Sequence, residues 1–94
     1  MTQLGCYADN RPAYALPTLL ADGYAWLTPL RCAALAYKNG YSVFGVQDGT
    51  QCYGGSSIAQ AESLGVVSNR CTTPCQGDSS LTCGGVKANQ VFTL

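Results

Sequence analysis

The chain has 94 residues, 47% of them hydrophobic and only 11% charged, with five basic and five acidic residues cancelling to zero and six cysteines but no histidine. A single core of this size buries a modest share of the surface the unfolded chain exposes, so stability needs reinforcement from elsewhere. The charged fraction lies far below the ~25% of an ordinary soluble domain, and neither nucleic acid nor an anionic membrane is an expected partner, because both need a basic patch.

A surface so poor in charge is built from Ser, Thr, Asn, Gln, Gly and Tyr. It suits neutral polar ligands such as sugars, or contact with neighbouring subunits, better than it suits charged partners. There is no internal repeat, heptad or low-complexity tract, and no apolar run long enough to span a bilayer, so direct membrane insertion is not expected. The opening "MTQLGCYADN" has neither a basic start nor an apolar core of the signal-peptide kind, and Met1 reads as the edge of a mature fragment or as an added start.

Taken in chain order, "QLGCY" reads as a short first strand, followed by the turn-rich "ADNRPA". A long loop-like segment leads to "TPLRCAALAYKNG", where Thr28 is placed as N-cap and Pro29 in the first turn. Good helix formers follow, and Lys38, Asn39 and Gly40 supply the stop. "YSVFGVQ" is a strand rich in β-branched and aromatic residues, and Asp48-Gly49 predicts a hairpin into "TQCYG", paired antiparallel. Strand alternation puts Tyr41, Val43 and Gly45 on one face and Ser42, Phe44 and Val46 on the other. "SSIAQAESLGVVSNR" is mostly irregular, with room for a short helical turn or a weak strand at Val66 and Val67. "CTTPCQGDSSLTCGG" reads as a tight cysteine-bounded loop, and "NQVFTL" as a closing strand. The expected fold class is α+β: a small disulfide-rich domain with one main helix packed on a short antiparallel sheet and long loops.

An even number of cysteines in a short chain without histidine reads as a disulfide framework, which belongs to an oxidising compartment outside the cell or in the secretory route. Cys6, Cys32, Cys52, Cys71, Cys75 and Cys83 allow fifteen pairings. A bridge between Cys32 on the helix and Cys52 on a strand would pin helix to sheet, and Cys75 and Cys83 enclose a loop that could close on itself. Zinc is the weaker alternative, because no histidine and no paired CxxC is present.

The order of "GCY", a cysteine-bearing helix, "FGVQDGTQCYGG", a cysteine then "PC" at 71 to 75, and "TCGGVKANQVF" resembles the WSC domain over Gly5 to Phe92. That module is named from yeast cell-wall stress sensors and occurs in fungal, algal and animal extracellular proteins. The family usually carries eight cysteines, with a helical C-x-x-x-C and a strand C-Y-C-G; Ala36 and Gly54 stand here at the second position of each. Carried onto the matching positions, the family pattern implies pairs of Cys6 with Cys71, Cys32 with Cys52, and Cys75 with Cys83. On the chain-entropy model, loops of these lengths stabilise by at most roughly 4, 3 and 2.5 kcal/mol. The resemblance also implies a carbohydrate-binding module, often for cell-wall β-glucans, acting outside the cell without catalysis or cofactor.

Catalytic groups are scarce. Without histidine, Ser-His-Asp and Cys-His arrangements are impossible. A carboxylate pair could in principle cleave a glycosidic bond, but Asp9, Asp48 and Asp78 sit in turn contexts that favour aspartate for its own backbone chemistry. "CYGG" lacks the Lys-Ser/Thr of a phosphate loop, so "GTQCYGGSS" reads as strand rather than as a phosphate or sugar site.

Aromatic side chains remain, since the apolar face of a sugar stacks on an exposed ring while Asn, Asp or Gln bond its hydroxyls. Phe44, Phe92 and Tyr7, and with them Tyr37 and Tyr53, are assigned to the core. Tyr14, Tyr24, Trp26 and Tyr41 are the candidate carbohydrate-binding residues, for a polysaccharide or the glycan of a glycoprotein. The other reading is an interaction module that assembles with copies of itself or neighbouring domains into an extracellular fibre, sheath or receptor ectodomain. No Asn-x-Ser/Thr sequon is present, so ordinary N-glycosylation is not expected, and the sequence leaves O-linked sugars open.

Overall fold

A computed structural model describes residues 1–9 and 14–94. Its centre is a five-stranded sheet, β1 (Thr2–Ala8), β2 (Thr18–Ala21), β3 (Val43–Gln47), β4 (Gln51–Gly55) and β7 (Ala88–Thr93), in the order β1-β7-β3-β4-β2. Every neighbouring pair is antiparallel. A separate two-stranded ribbon joins β5 (Pro74–Cys75) to β6 (Asp78–Thr82), and helices α1 (Pro29–Lys38) and α2 (Ala59–Leu64) complete the chain. The architecture is the expected small disulfide-rich α+β domain.

Helix α1 begins and ends where its sequence signals lie. Thr28 stands in extended backbone and its Oγ1 accepts from the Arg31 N–H at 3.1 Å, while Pro29 occupies the first turn, where a missing N–H costs nothing. At the other end Asn39 Nδ2 donates to the Leu35 carbonyl at 2.8 Å, and Gly40 leaves the helix at φ 82°. The buried side of α1 consists of Pro29, Cys32, Ala33 and Ala36, small residues that let the helix lie close on the sheet.

Period-two alternation sorts the sheet into two faces. Phe44, Val46, Cys52 and Phe92 meet Cys32, Ala33 and Ala36 of α1, and the Phe44 and Phe92 rings stack at 5.0 Å within 7° of parallel. The opposite face buries Tyr7, Leu16, Val43, Tyr53 and Val91, with Ala61 of α2 in the same cluster. The β3–β4 hairpin turns at Asp48 and Gly49, both at positive φ. The three disulfides are Cys6–Cys71, Cys32–Cys52 and Cys75–Cys83, with Cα separations of 6.0, 5.5 and 4.8 Å, and no cysteine is free. They tie β1 to the segment before β5, α1 to β4, and the two sides of the ribbon.

Several expectations are revised. Residues 18–21, read as loop, form edge strand β2, whose register slips between Leu19 and Ala21. A four-residue strand behind Pro17 with an irregular register has no alternation to display. The tail read as a cysteine-bounded loop contains the β5–β6 ribbon, whose second strand is exposed at every residue and so lacks a hydrophobic signature. The stretch left open after Gly55 holds α2, and Val66 contributes only an isolated bridge to Tyr7. Tyr37, assigned to the core, is 78% exposed, because it follows buried Ala36 by one residue and a helix turns ~100° per residue. Asn10, Arg11, Pro12 and Ala13 of the expected "ADNRPA" turn lie outside the described residues.

Candidate functional site

Two of the four candidate aromatics come together. Tyr14 and Tyr41, 27 positions apart in sequence, line one open cleft of about 620 Å3 with Pro17, Gly55, Ser56, Ser57 and Gln60. The cleft lies where β4 leaves the sheet and the chain enters α2. Among the described residues, no Asp, Glu, Lys or Arg lines it.

Tyr41 is placed by backbone and by an absence. After Gly40 turns the chain, the Tyr41 N–H donates to the Ala36 carbonyl at 2.9 Å, which fixes the residue against the end of α1. Its ring then lies over Gly54. A Cβ at that position would stand 2.7 Å from Tyr41 Cδ2 and 2.9 Å from Leu20 Cδ1, closer than a real Cβ approaches any atom. Tyr41 Oη donates to Thr18 Oγ1 at 3.2 Å across the edge of the sheet. Alternation had put Tyr41 on the Val43 face, but β3 starts only at Val43, and Tyr41 instead packs with the Phe44 and Cys32 cluster on the helix side.

The rest of the cleft comes from the stretch after Cys52. Gly55 is covered by Pro17, whose Cδ would be 3.1 Å from a Cβ there. Ser57 Oγ accepts from the Ala59 N–H at 3.1 Å and opens α2, while Ser56 and Gln60 stay exposed. "GTQCYGGSS" is therefore strand up to Gly55, as expected, and cleft wall beyond it. The sequence signal that could have found this was the pair of serines directly after two glycines: small strand residues that admit rings, followed by hydroxyls at a helix entry. Pro17 and Gln60 had no such signal.

Tyr24 and Trp26 do not line the cleft. Tyr24 is half-buried against the helix-side core, its N–H donating to the Thr50 carbonyl at 3.0 Å. Trp26 is 67% exposed, with its carbonyl against Gly77 in the turn between β5 and β6. Phe44, Phe92, Tyr7 and Tyr53 are buried, as assigned.

A second hollow of about 680 Å3 lies beside the start of α1 between Met1, Leu30, Leu81 and Phe92. Its apolar lining is aliphatic apart from Phe92, which belongs to the core, so it offers no ring for stacking a sugar.

The acidic residues have local employment. Asp9 is buried and its Oδ1 accepts from the Ala15 N–H at 3.1 Å. Asp78 Oδ1 accepts from the Ser80 hydroxyl at 2.6 Å and the Ser80 N–H at 3.0 Å, which together hold its carboxyl below the usual carboxylate range. Among the described residues no three Cys, Asp or Glu side chains are grouped to hold a metal ion, and no helix is long and apolar enough to cross a membrane.

Comparison with known proteins agrees with the architecture. The family model for the WSC domain matches residues 3–85. A WSC domain-containing protein of Arthroderma benhamiae is 39% identical over 80 residues, covering 85% of this chain and 11% of its own length. The cell wall integrity and stress response component 1 of Schizosaccharomyces pombe is 37% identical over 93 residues, covering 89% of this chain and 21% of its own. A Drosophila melanogaster protein named xylosyltransferase oxt is 28% identical over 89 residues, 95% of this chain and 10% of its own. The chain thus spans about a tenth to a fifth of the length of these relatives, as one module within much longer proteins. With the family model covering most of the chain and the three disulfides in the expected places, the chain belongs to the WSC domain family.

Proposed function

We propose that this domain is an extracellular carbohydrate-binding module that holds a neutral cell-wall or matrix polysaccharide of the β-glucan kind, without catalysis, in the cleft between Tyr14 and Tyr41. The carrying observation is that two aromatic rings line one groove together with serine hydroxyls and a glutamine amide, and that no charged side chain among the described residues lines it. A neutral pyranose has apolar faces that stack on rings and equatorial hydroxyls that bond to serine and glutamine, and it gains nothing from a fixed charge. The presence of a related module in a fungal protein named for cell-wall integrity supports the same assignment and an extracellular location.

Affinity electrophoresis of the oxidised domain in gels containing soluble β-1,3-glucan, β-1,4-glucan or mannan tests it. Retardation by at least one of these polymers is expected, together with its loss in Tyr14→Ala and Tyr41→Ala and its persistence in Trp26→Ala. Unretarded migration in all of them would remove the assignment.

One observation supports the second reading, an assembly module. Trp26, Leu30 and Tyr37 are 67, 70 and 78% exposed, and Leu30 and Tyr37 lie seven residues apart on the outward side of α1. If copies of the domain associate, sedimentation will show a concentration-dependent increase in mass that Leu30→Asp abolishes.

A further inference from the structure

A third depression, of about 360 Å3, lies on the loops before β5 and before β7, between Asn69, Arg70, Thr72, Thr73, Val86 and Lys87. It holds two of the four Lys and Arg residues among those described, and no carboxylate of a described residue lines it. The volume falls within the range of small-ligand pockets, roughly 300 to 1,000 Å3.

The two cations stand on backbones fixed to one another. Gly85 lies directly against the Arg70 carbonyl, so closely that a Cβ there would collide with it. The Thr73 N–H donates to Gly84 at 2.9 Å and the Cys83 N–H to Thr73 at 2.8 Å. Next to Arg70, Cys71 is bridged to Cys6 of β1. Both loops are therefore held before any ligand arrives, which lowers the ordering cost of binding.

Lys87 supplies an independent reason to look here. It takes φ 52° in the turn closed by the mutual bonds of Gly85 and Ala88, and with Asp48 it is one of two non-glycine residues at positive φ among those described. Asp48 is the familiar case, because a short polar side chain tolerates this conformation. Lysine does not share that advantage, so turn stability alone favours glycine or asparagine at 87. The nearest acid in backbone terms, Asp9, donates its N–H to the Lys87 carbonyl, but its carboxylate is engaged by the Ala15 N–H.

We propose that this bowl, distinct from the tyrosine cleft, binds the oxyanion of an acidic sugar residue on an extracellular polysaccharide, a uronate carboxylate or a sulfate ester. The guanidinium of Arg70 presents a planar fork that matches an oxyanion with two bonds, and Lys87 adds a point charge. Thr72, Thr73 and Asn69 put hydroxyl and amide groups beside them, the partners that sugar hydroxyls require and a bare carboxylate does not. This inference does not depend on neutral-glucan binding.

Affinity electrophoresis and titration calorimetry with polygalacturonate and with chondroitin sulfate, set against neutral β-glucan, test it. Binding to at least one acidic polymer is expected, and which one distinguishes carboxylate from sulfate. Arg70→Gln with Lys87→Asn is expected to weaken that binding by about tenfold or more, with neutral-glucan behaviour unchanged. Arg31→Gln with Lys38→Gln removes the same charge elsewhere and is expected to leave it unchanged. Lys87→Asn alone is expected to weaken acidic-sugar binding while melting no lower than the parent, because asparagine accepts the turn. The proposal is overturned by absence of binding to both acidic polymers, by equal losses in the two double variants, or by polyglutamate binding as tightly as the polysaccharides.

Discussion

Gly54→Ala is the most informative single substitution, because it sets a known gain against a larger loss. Gly54 lies in β4 at ordinary strand φ, so alanine introduces no backbone strain and removes unfolded-chain freedom, worth about 0.4–1 kcal/mol in favour of the fold. Against this, the new methyl would stand 2.7 and 3.0 Å from Tyr41 Cδ2 and Cγ and 2.9 Å from Leu20 Cδ1. Neither neighbour can retreat inward, since Ala36, Phe44 and Cys52 beneath them are fully buried. Overpacking of this kind costs about 1–3 kcal/mol, and an outward swing of the ring also gives up the Tyr41 Oη to Thr18 Oγ1 bond, about 0.5–1.5 kcal/mol. A net loss of about 0.5–4 kcal/mol results. It would be read as a lower urea midpoint at unchanged slope under oxidising conditions. A cycle with Tyr41→Ala isolates the contact: in the alanine background at 41, Gly54→Ala should be neutral or stabilising. A Gly54→Ala protein more stable than its parent, with cleft binding intact, would refute the view that the missing side chain at 54 seats the Tyr41 ring.

The remaining expectations are smaller or more familiar. Ala36→Cys with Gly54→Cys should oxidise to a fourth bridge when Tyr41 is alanine and leave free thiols when Tyr41 is present; two persistent thiols in both backgrounds would mean that α1 and β4 are differently registered. Replacing Cys32 and Cys52 together by alanine should cost about 2–5 kcal/mol, measured by chemical denaturation. Thr28→Ala removes the acceptor for the Arg31 N–H and should cost about 1 kcal/mol, while Thr28→Asn should be nearly neutral. For Asp78, the folded carboxyl titrates below the ordinary value of 3.8, so its contribution is complete above that pH and is lost as pH falls through the lower folded value. Asp78 is fully solvent-exposed, so the expected sign is a local shift of the Ser80 amide signal in that window, absent in Asp78→Asn.

What the chain determines on its own is local and covalent. Thr28, Pro29 and Asn39 mark α1 because capping is decided within one turn, and Asp48-Gly49 marks the hairpin because few residue pairs accept positive φ twice. The disulfide pairing was legible only through family resemblance, since spacing alone leaves fifteen possibilities. Tertiary structure decided which rings meet. Tyr14 and Tyr41 share a cleft while Trp26 stands apart, because β2, too short and irregular to announce itself, brings Pro17 and Thr18 alongside β4. The same holds for Arg70 and Lys87, 17 positions apart in sequence, which face one bowl only because Gly85 lets one loop touch the other. Sequence fixes conformations that cost or gain energy within a few residues; proximity between distant side chains depends on strand order and close backbone approach, which no local pattern encodes.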